Sequence, residues 1–133
     1  MSYLIAKSDD GRNVAVPLRQ PIEIGRGEKD FTVEVRTRGD TISLGISDAT
    51  VSRAHARIYS ESGKLMLKDL GSKNGTLLNN EPLPGSQPGR ESKPVEIRED
   101  SKINFGHNTV VGIALGEKTL TSGEWERIKE SPS

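Results

Sequence analysis

Thr32-Val33-Glu34-Val35-Arg36 places an apolar side chain at alternate positions, with a hydroxyl or a charge between them. Successive side chains of an extended chain point to opposite faces, so this stretch reads as a strand with one buried face and one wet face. Pro94-Val95-Glu96-Ile97-Arg98 repeats the pattern. Outward from these two, short period-two runs recur at 3–7, 13–18, 21–25, 31–36, 41–45, 54–60, 64–68, 76–78, 94–98, 102–105 and 109–115, eleven in all. The intervals hold turn residues, as in Asp9-Asp10-Gly11, Arg38-Gly39-Asp40, Ser62-Gly63 and the stretch 71–75. These residue types accept positive φ or bond their own backbone. Many short strands about 8–12 residues apart predict an all-β, antiparallel sandwich or barrel.

Composition agrees and removes several functions. Only 32% of the 133 residues are hydrophobic and 4% aromatic, with 14 glycines and 7 prolines, which fits a β domain with polar loops better than a helical bundle. The length suits one domain, expected over residues 1–116, followed by a polar tail over 117–133. Thr121-Ser122-Gly123-Glu124 has capping-box spacing, so a short helix carrying Trp125 and Ile128 on one face is expected in that tail. Lys+Arg and Asp+Glu both number 19. Zero net charge, no basic stripe and few aromatics argue against a nucleic-acid partner. Cysteine is absent and histidine occurs twice, which leaves no basis for disulfides, a metal site or a cysteine nucleophile. Apolar runs of about four residues fall far short of the ~20 that cross a membrane. The first residues lack the pattern of a signal peptide, so a cytoplasmic protein without cofactor or membrane contact is expected.

Three polar segments stand at strand ends: Ile24-Gly25-Arg26, the stretch from Asp48 to Ala56, and Asp69-Leu70-Gly71-Ser72-Lys73-Asn74-Gly75-Thr76. Alone, each has an ordinary explanation. Asn74-Gly75 is a hairpin turn, His55 a hydrogen-bonding residue at a strand start, Ser52 a turn residue and Arg26 a surface charge. Gly25-Arg26-Gly27 has no helix after it and so is no dinucleotide fingerprint. Asp48, Ser52 and His55 invite a hydrolase reading, but no G-x-S-x-G elbow accompanies them, and no enzyme is expected. Together the segments gather Arg26, Arg53 and Lys73 with the short polar side chains of Ser52 and Asn74. That donor set suits a doubly charged tetrahedral oxyanion held beside a peptide.

These motifs resemble the forkhead-associated (FHA) domain family. Its Gly-Arg, Ser-Arg-x-His and Asn-Gly signatures match Gly25-Arg26, Ser52-Arg53-Ala54-His55 and Asn74-Gly75, in order. Asp48, Val51, Ala56, Asp69-Leu70-Gly71-Ser72 and Thr76 fit the surrounding pattern, and the resemblance covers residues 3–115. It implies an eleven-stranded β-sandwich that binds a threonine-phosphorylated protein, as an adaptor or regulator in Ser/Thr kinase signalling. By the same resemblance Arg26, Ser52 and Lys73 hold phosphate, while Arg53 and Asn74 hold peptide. Gly25, His55, Gly75 and Thr76 support the loops. The alternative is a constitutive protein-binding domain that needs no phosphate. Two stretches depart from the family spacing: an extra hairpin within 31–45, and a long excursion over 85–94.

Overall fold

Each of the eleven period-two runs forms a strand in the computed structural model, which describes residues 2–115. The elements are β1 (Ser2–Lys7), β2 (Asn13–Pro17), β3 (Ile22–Arg26), β4 (Thr32–Thr37), β5 (Asp40–Ser47), β6 (Ala56–Glu61), β7 (Lys64–Asp69), β8 (Thr76–Leu78), β9 (Glu81–Pro82), β10 (Val95–Ile97), β11 (Lys102–Phe105) and β12 (Thr109–Leu115). A twelfth strand thus joins the expected eleven. This is β9, two residues long and without the apolar alternation that marks a strand in sequence. The Asn79-Asn80 turn forms it, with φ of 50° and 71°, the left-handed pair that closes a two-residue hairpin. No helix occurs among the described residues, so none there is long and apolar enough to cross a membrane. The expected boundary at 117 and the tail helix lie outside them.

The strands form two six-stranded sheets, ordered β2-β1-β12-β11-β8-β9 and β10-β7-β6-β3-β4-β5, with antiparallel neighbours throughout. Register lines up the apolar positions into rows. In the first sheet Val16, Leu4 and Ile113 stand side by side; in the second, Val95, Leu67, Ile58 and Ile22 do. These rows face each other as one core that also takes in Val33, Val35, Leu44, Ile103 and Phe105. Val33 and Val35 are fully buried, while Thr32, Glu34 and Arg36 between them are half-buried on the outer face. The alternation in the quoted stretch is therefore the alternation of the fold.

The two departures from the family spacing take different places in the fold. The extra hairpin is β4 and β5, turning at Arg38-Gly39, and it puts Leu44 and Ile46 into the core. The 85–94 excursion passes from the first sheet to the second and binds the end of β7 on its way. There Ser92 N–H donates to the Asp69 carbonyl (3.0 Å), Ser92 Oγ accepts from Asp69 N–H (2.8 Å), and Gly89 N–H donates to Gly71 (2.9 Å).

Candidate functional site

Four connections meet at one end of the sandwich: those after β3, β5, β7 and β11. Arg26 closes β3, and its N–H donates to the Ser52 carbonyl at 3.0 Å. Gly25 makes that approach possible, because a Cβ at this position would collide with the carbonyl oxygen of Arg53 and lie 2.7 Å from Arg36 Nη1. The Arg26 guanidinium reaches the Ala49 carbonyl at 3.0 Å and covers the exposed ring of Phe31, 5.7 Å from its centroid.

Asp48 shapes the loop that carries Ser52. Its carboxylate accepts from the N–H and hydroxyl of Thr50, and on the other oxygen from Thr109 Oγ1 (2.7 Å) and Asn108 N–H (3.2 Å). The last two come from the β11–β12 connection, so a loop of the second sheet is bound to the first. Burial would raise the Asp48 carboxyl, but these four hydrogen bonds hold it below its usual range.

Asp69 does the same for the Asn74 turn. Fully buried, it accepts from Gly71 and Ser72 N–H (both 2.8 Å) and from the hydroxyls of Ser72 and Thr76 (both 2.6 Å). Burial opposes the charge here too, and the Ser72 and Thr76 hydroxyls with the two N–H groups outweigh it. Thr76 is thereby fixed beneath the turn, and Gly75, at φ +85°, takes the left-handed conformation that the turn requires.

His55 joins the two loops. It is fully buried, with its ring edge-on to Phe105 at 5.7 Å. Ser52 N–H donates to Nδ1 at 3.0 Å, so Nδ1 carries no proton, and Nε2–H donates to the Gly75 carbonyl at 2.8 Å. Burial lowers the imidazole from its ordinary value, overcoming the Gly75 carbonyl and the Asp69 carboxylate 4.0 Å away, so the ring is neutral. A neutral histidine with both nitrogens bound to backbone is a brace, and neither nitrogen is paired with Ser52 Oγ, which accepts from Lys73 N–H.

The residues singled out by sequence converge. Ser52 Oγ accepts the Lys73 N–H at 2.9 Å and donates to no described residue, so its own proton is left for a ligand. Asn74 is exposed and its Nδ2 donates to the Thr50 carbonyl at 2.8 Å, which leaves the amide oxygen as an acceptor with no partner among the described residues. Arg53 is exposed and, with Arg26, Gly27, Lys29 and Arg36, lines an open groove of about 780 Å³ beside the loops. Lys73 contributes its backbone N–H to this framework, and its side chain is exposed.

Two contributors escape a reading of the sequence. Arg36, at an outer strand position, donates from Nη1 to the Arg53 carbonyl (2.7 Å) and from Nη2 to the Arg26 carbonyl (3.0 Å), while Glu23 and Glu34 hold it at 3.2 and 3.4 Å. Its place in the alternation marks it only as a surface charge. Thr50 supports both His107 N–H (2.8 Å) and Asn74 through one hydroxyl and one carbonyl, with no local signal.

Residues 22–106 match the family described as FHA domain. The chain is 34% identical over 86 residues to the probable E3 ubiquitin-protein ligase dma1 of Schizosaccharomyces pombe, covering 65% of this chain and 30% of that protein. It is 39% identical over 82 residues to an FHA domain-containing protein of Arabidopsis thaliana, covering 62% and 17%. The chain thus spans less than a third of either relative. Among solved structures it is similar to the FHA domain of an Arabidopsis thaliana hypothetical protein (26% identity, TM-score 0.62, 91% of this chain and 90% of that one). It is also similar to the kinase-interacting FHA domain of an Arabidopsis kinase-associated protein phosphatase (26%, 0.62, 90% and 96%).

Proposed function

This chain belongs to the FHA domain family, and from its loop geometry we propose that it is a phosphothreonine-dependent protein-interaction module. The observation that carries the reading is the gathering of Arg26, Ser52, Lys73 and Asn74 at one end of the sandwich, where Arg26 and Lys73 N–H both donate to Ser52 and Asn74 to Thr50 of the same loop. A phosphothreonine brings a charge of roughly −1.5 to −2 and three acceptor oxygens. Arg26 offers a planar fork of donors for those oxygens, Ser52 one hydroxyl, and Lys73 an ammonium. The Asn74 amide is suited to a peptide backbone group, and Arg53 borders the path of the chain on either side of the phosphate. Gly25, His55, Gly75 and Thr76 act by holding the loops. Such a module serves as an adaptor or regulator in a Ser/Thr kinase pathway in the cytoplasm. The kinase interaction named for the phosphatase domain supports that setting.

The test is titration calorimetry with three matched peptides bearing phosphothreonine, phosphoserine or unmodified threonine. The phosphothreonine peptide binds tightest, and Arg26→Ala weakens it by about 30-fold or more, the ~2–5 kcal/mol lost when a paired charge loses its partner. Equal binding of all three peptides establishes a phosphate-independent module instead.

A further inference from the structure

A second concavity, of about 830 Å³, opens on the outer face of the second sheet. Its walls include Arg19 and Pro21 before β3, Arg38 at the β4–β5 turn, Arg57 and Tyr59 on β6, and Lys68 on β7. It shares no residue with the cluster around Ser52, and from Pro21 to Arg26 runs about 17 Å of extended chain. Four cations line it and no carboxylate does. Carboxylates stand only around it: Glu23 lies opposite Arg57 in the register of β3 and β6 and is held by Arg36. Lys68 is paired with Glu91 at 2.6 Å. Arg38 and Arg57 make no ion pair among the described residues.

We infer that this groove is a second docking site, for an extended Asp/Glu-rich segment of a protein partner. Arg38 and Arg57, the two without an ion pair, come from separate segments, so a chain carrying several carboxylates is suited to meet both where a single small anion is not. The half-buried ring of Tyr59 and Pro21 give the peptide stem an apolar wall between the charges. Nucleic acid fits less well, because the cations fill one bounded hollow with one aromatic ring and form no stripe along the molecule. The hairpin that lengthens the span from Arg26 to Ser52 supplies Arg38, so the insertion builds the groove. The site does not depend on the phosphothreonine reading.

The probe is an unphosphorylated Glu/Asp-rich peptide without serine, threonine or tyrosine, titrated into the isotope-labelled 133-residue chain and followed by amide chemical shifts. Shifts centre on residues 19, 20, 38, 57–59 and 68, and binding weakens as salt rises from about 50 to about 200 mM. The Arg38→Ser/Arg57→Ser double variant weakens it by about tenfold or more; single Arg38→Ser, altering only an exposed turn, weakens it less. Both variants keep the phosphothreonine affinity, whereas Arg26→Ala keeps the acidic-peptide affinity. Absence of binding, shifts centred on Ser52 and Asn74, or equal binding of a glutamine-for-glutamate peptide overturns the inference. So does tighter binding of an oligonucleotide of equal charge.

Discussion

The imidazole of His55 uses both nitrogens on backbone, accepting from Ser52 and donating to Gly75, so a second proton on the ring sets one N–H against another. Burial favours the neutral form. The sign of the pH dependence follows: a histidine whose folded value is lowered contributes stability in full above its ordinary 6.5 and loses it as pH falls through the folded value. The thermal midpoint therefore declines below about pH 6.5. Asp48 and Asp69, depressed as well, hold their contribution above 3.8 and lose it as pH falls through their folded values, giving a second decline. His55→Ala is less stable by ~1–3 kcal/mol at neutral pH and lacks the first decline. A midpoint that stays level between about pH 8 and 5 in the parent protein contradicts the neutral brace. Gly25→Ala tests the same end of the molecule sterically. Its Cβ displaces the Arg53 carbonyl and with it the Arg36 contact, costing ~1–3 kcal/mol. Phosphopeptide affinity falls about tenfold or more beyond any unfolded fraction, because Arg26 and Ser52 are joined through this point; calorimetry beside a denaturation curve separates the two effects.

At the level of elements, the hairpin of β4 and β5 is core structure as much as insertion. Leu44→Ala, at a fully buried position, costs ~2–5 kcal/mol, while Thr41→Ala on the exposed face stays within about 0.5. Comparable values in urea denaturation are inconsistent with this packing. Ser92→Ala leaves the buried Asp69 N–H without its side-chain acceptor and costs ~1–3 kcal/mol, although Ser92 lies in the excursion, far along the chain from the turn it steadies. The elements themselves were largely legible, because alternation such as Val33/Val35 is both what the sequence prints and what burial requires. β9 was not, since two residues cannot alternate. The site was legible wherever a residue type is tied to one conformation or one donor set, as with Gly25-Arg26 and Asn74-Gly75. It was illegible at Arg36 and Thr50, whose work is done across strands that only the fold brings together. The basic groove escaped for the same reason: its cations are far apart in sequence and cancel in the net charge.

Over the whole molecule, β1 and β12 lie side by side with Ser2 opposite Leu115. The first and last described residues therefore lie side by side at one end of the same strand pair. A load applied across these two positions does not slide the strands past each other. It opens their ladder from one end, one pair of hydrogen bonds at a time, because the bonds lie perpendicular to antiparallel strands. A sandwich held by many rows of core is thus a weak link under tension. In an optical trap, handles at residues 2 and 115 should release the fold at lower force than handles at residues 2 and 63, where the exposed β6–β7 turn offers a grip on the other sheet. Equal forces for the two geometries would show that the core, and not the seam, bears the load.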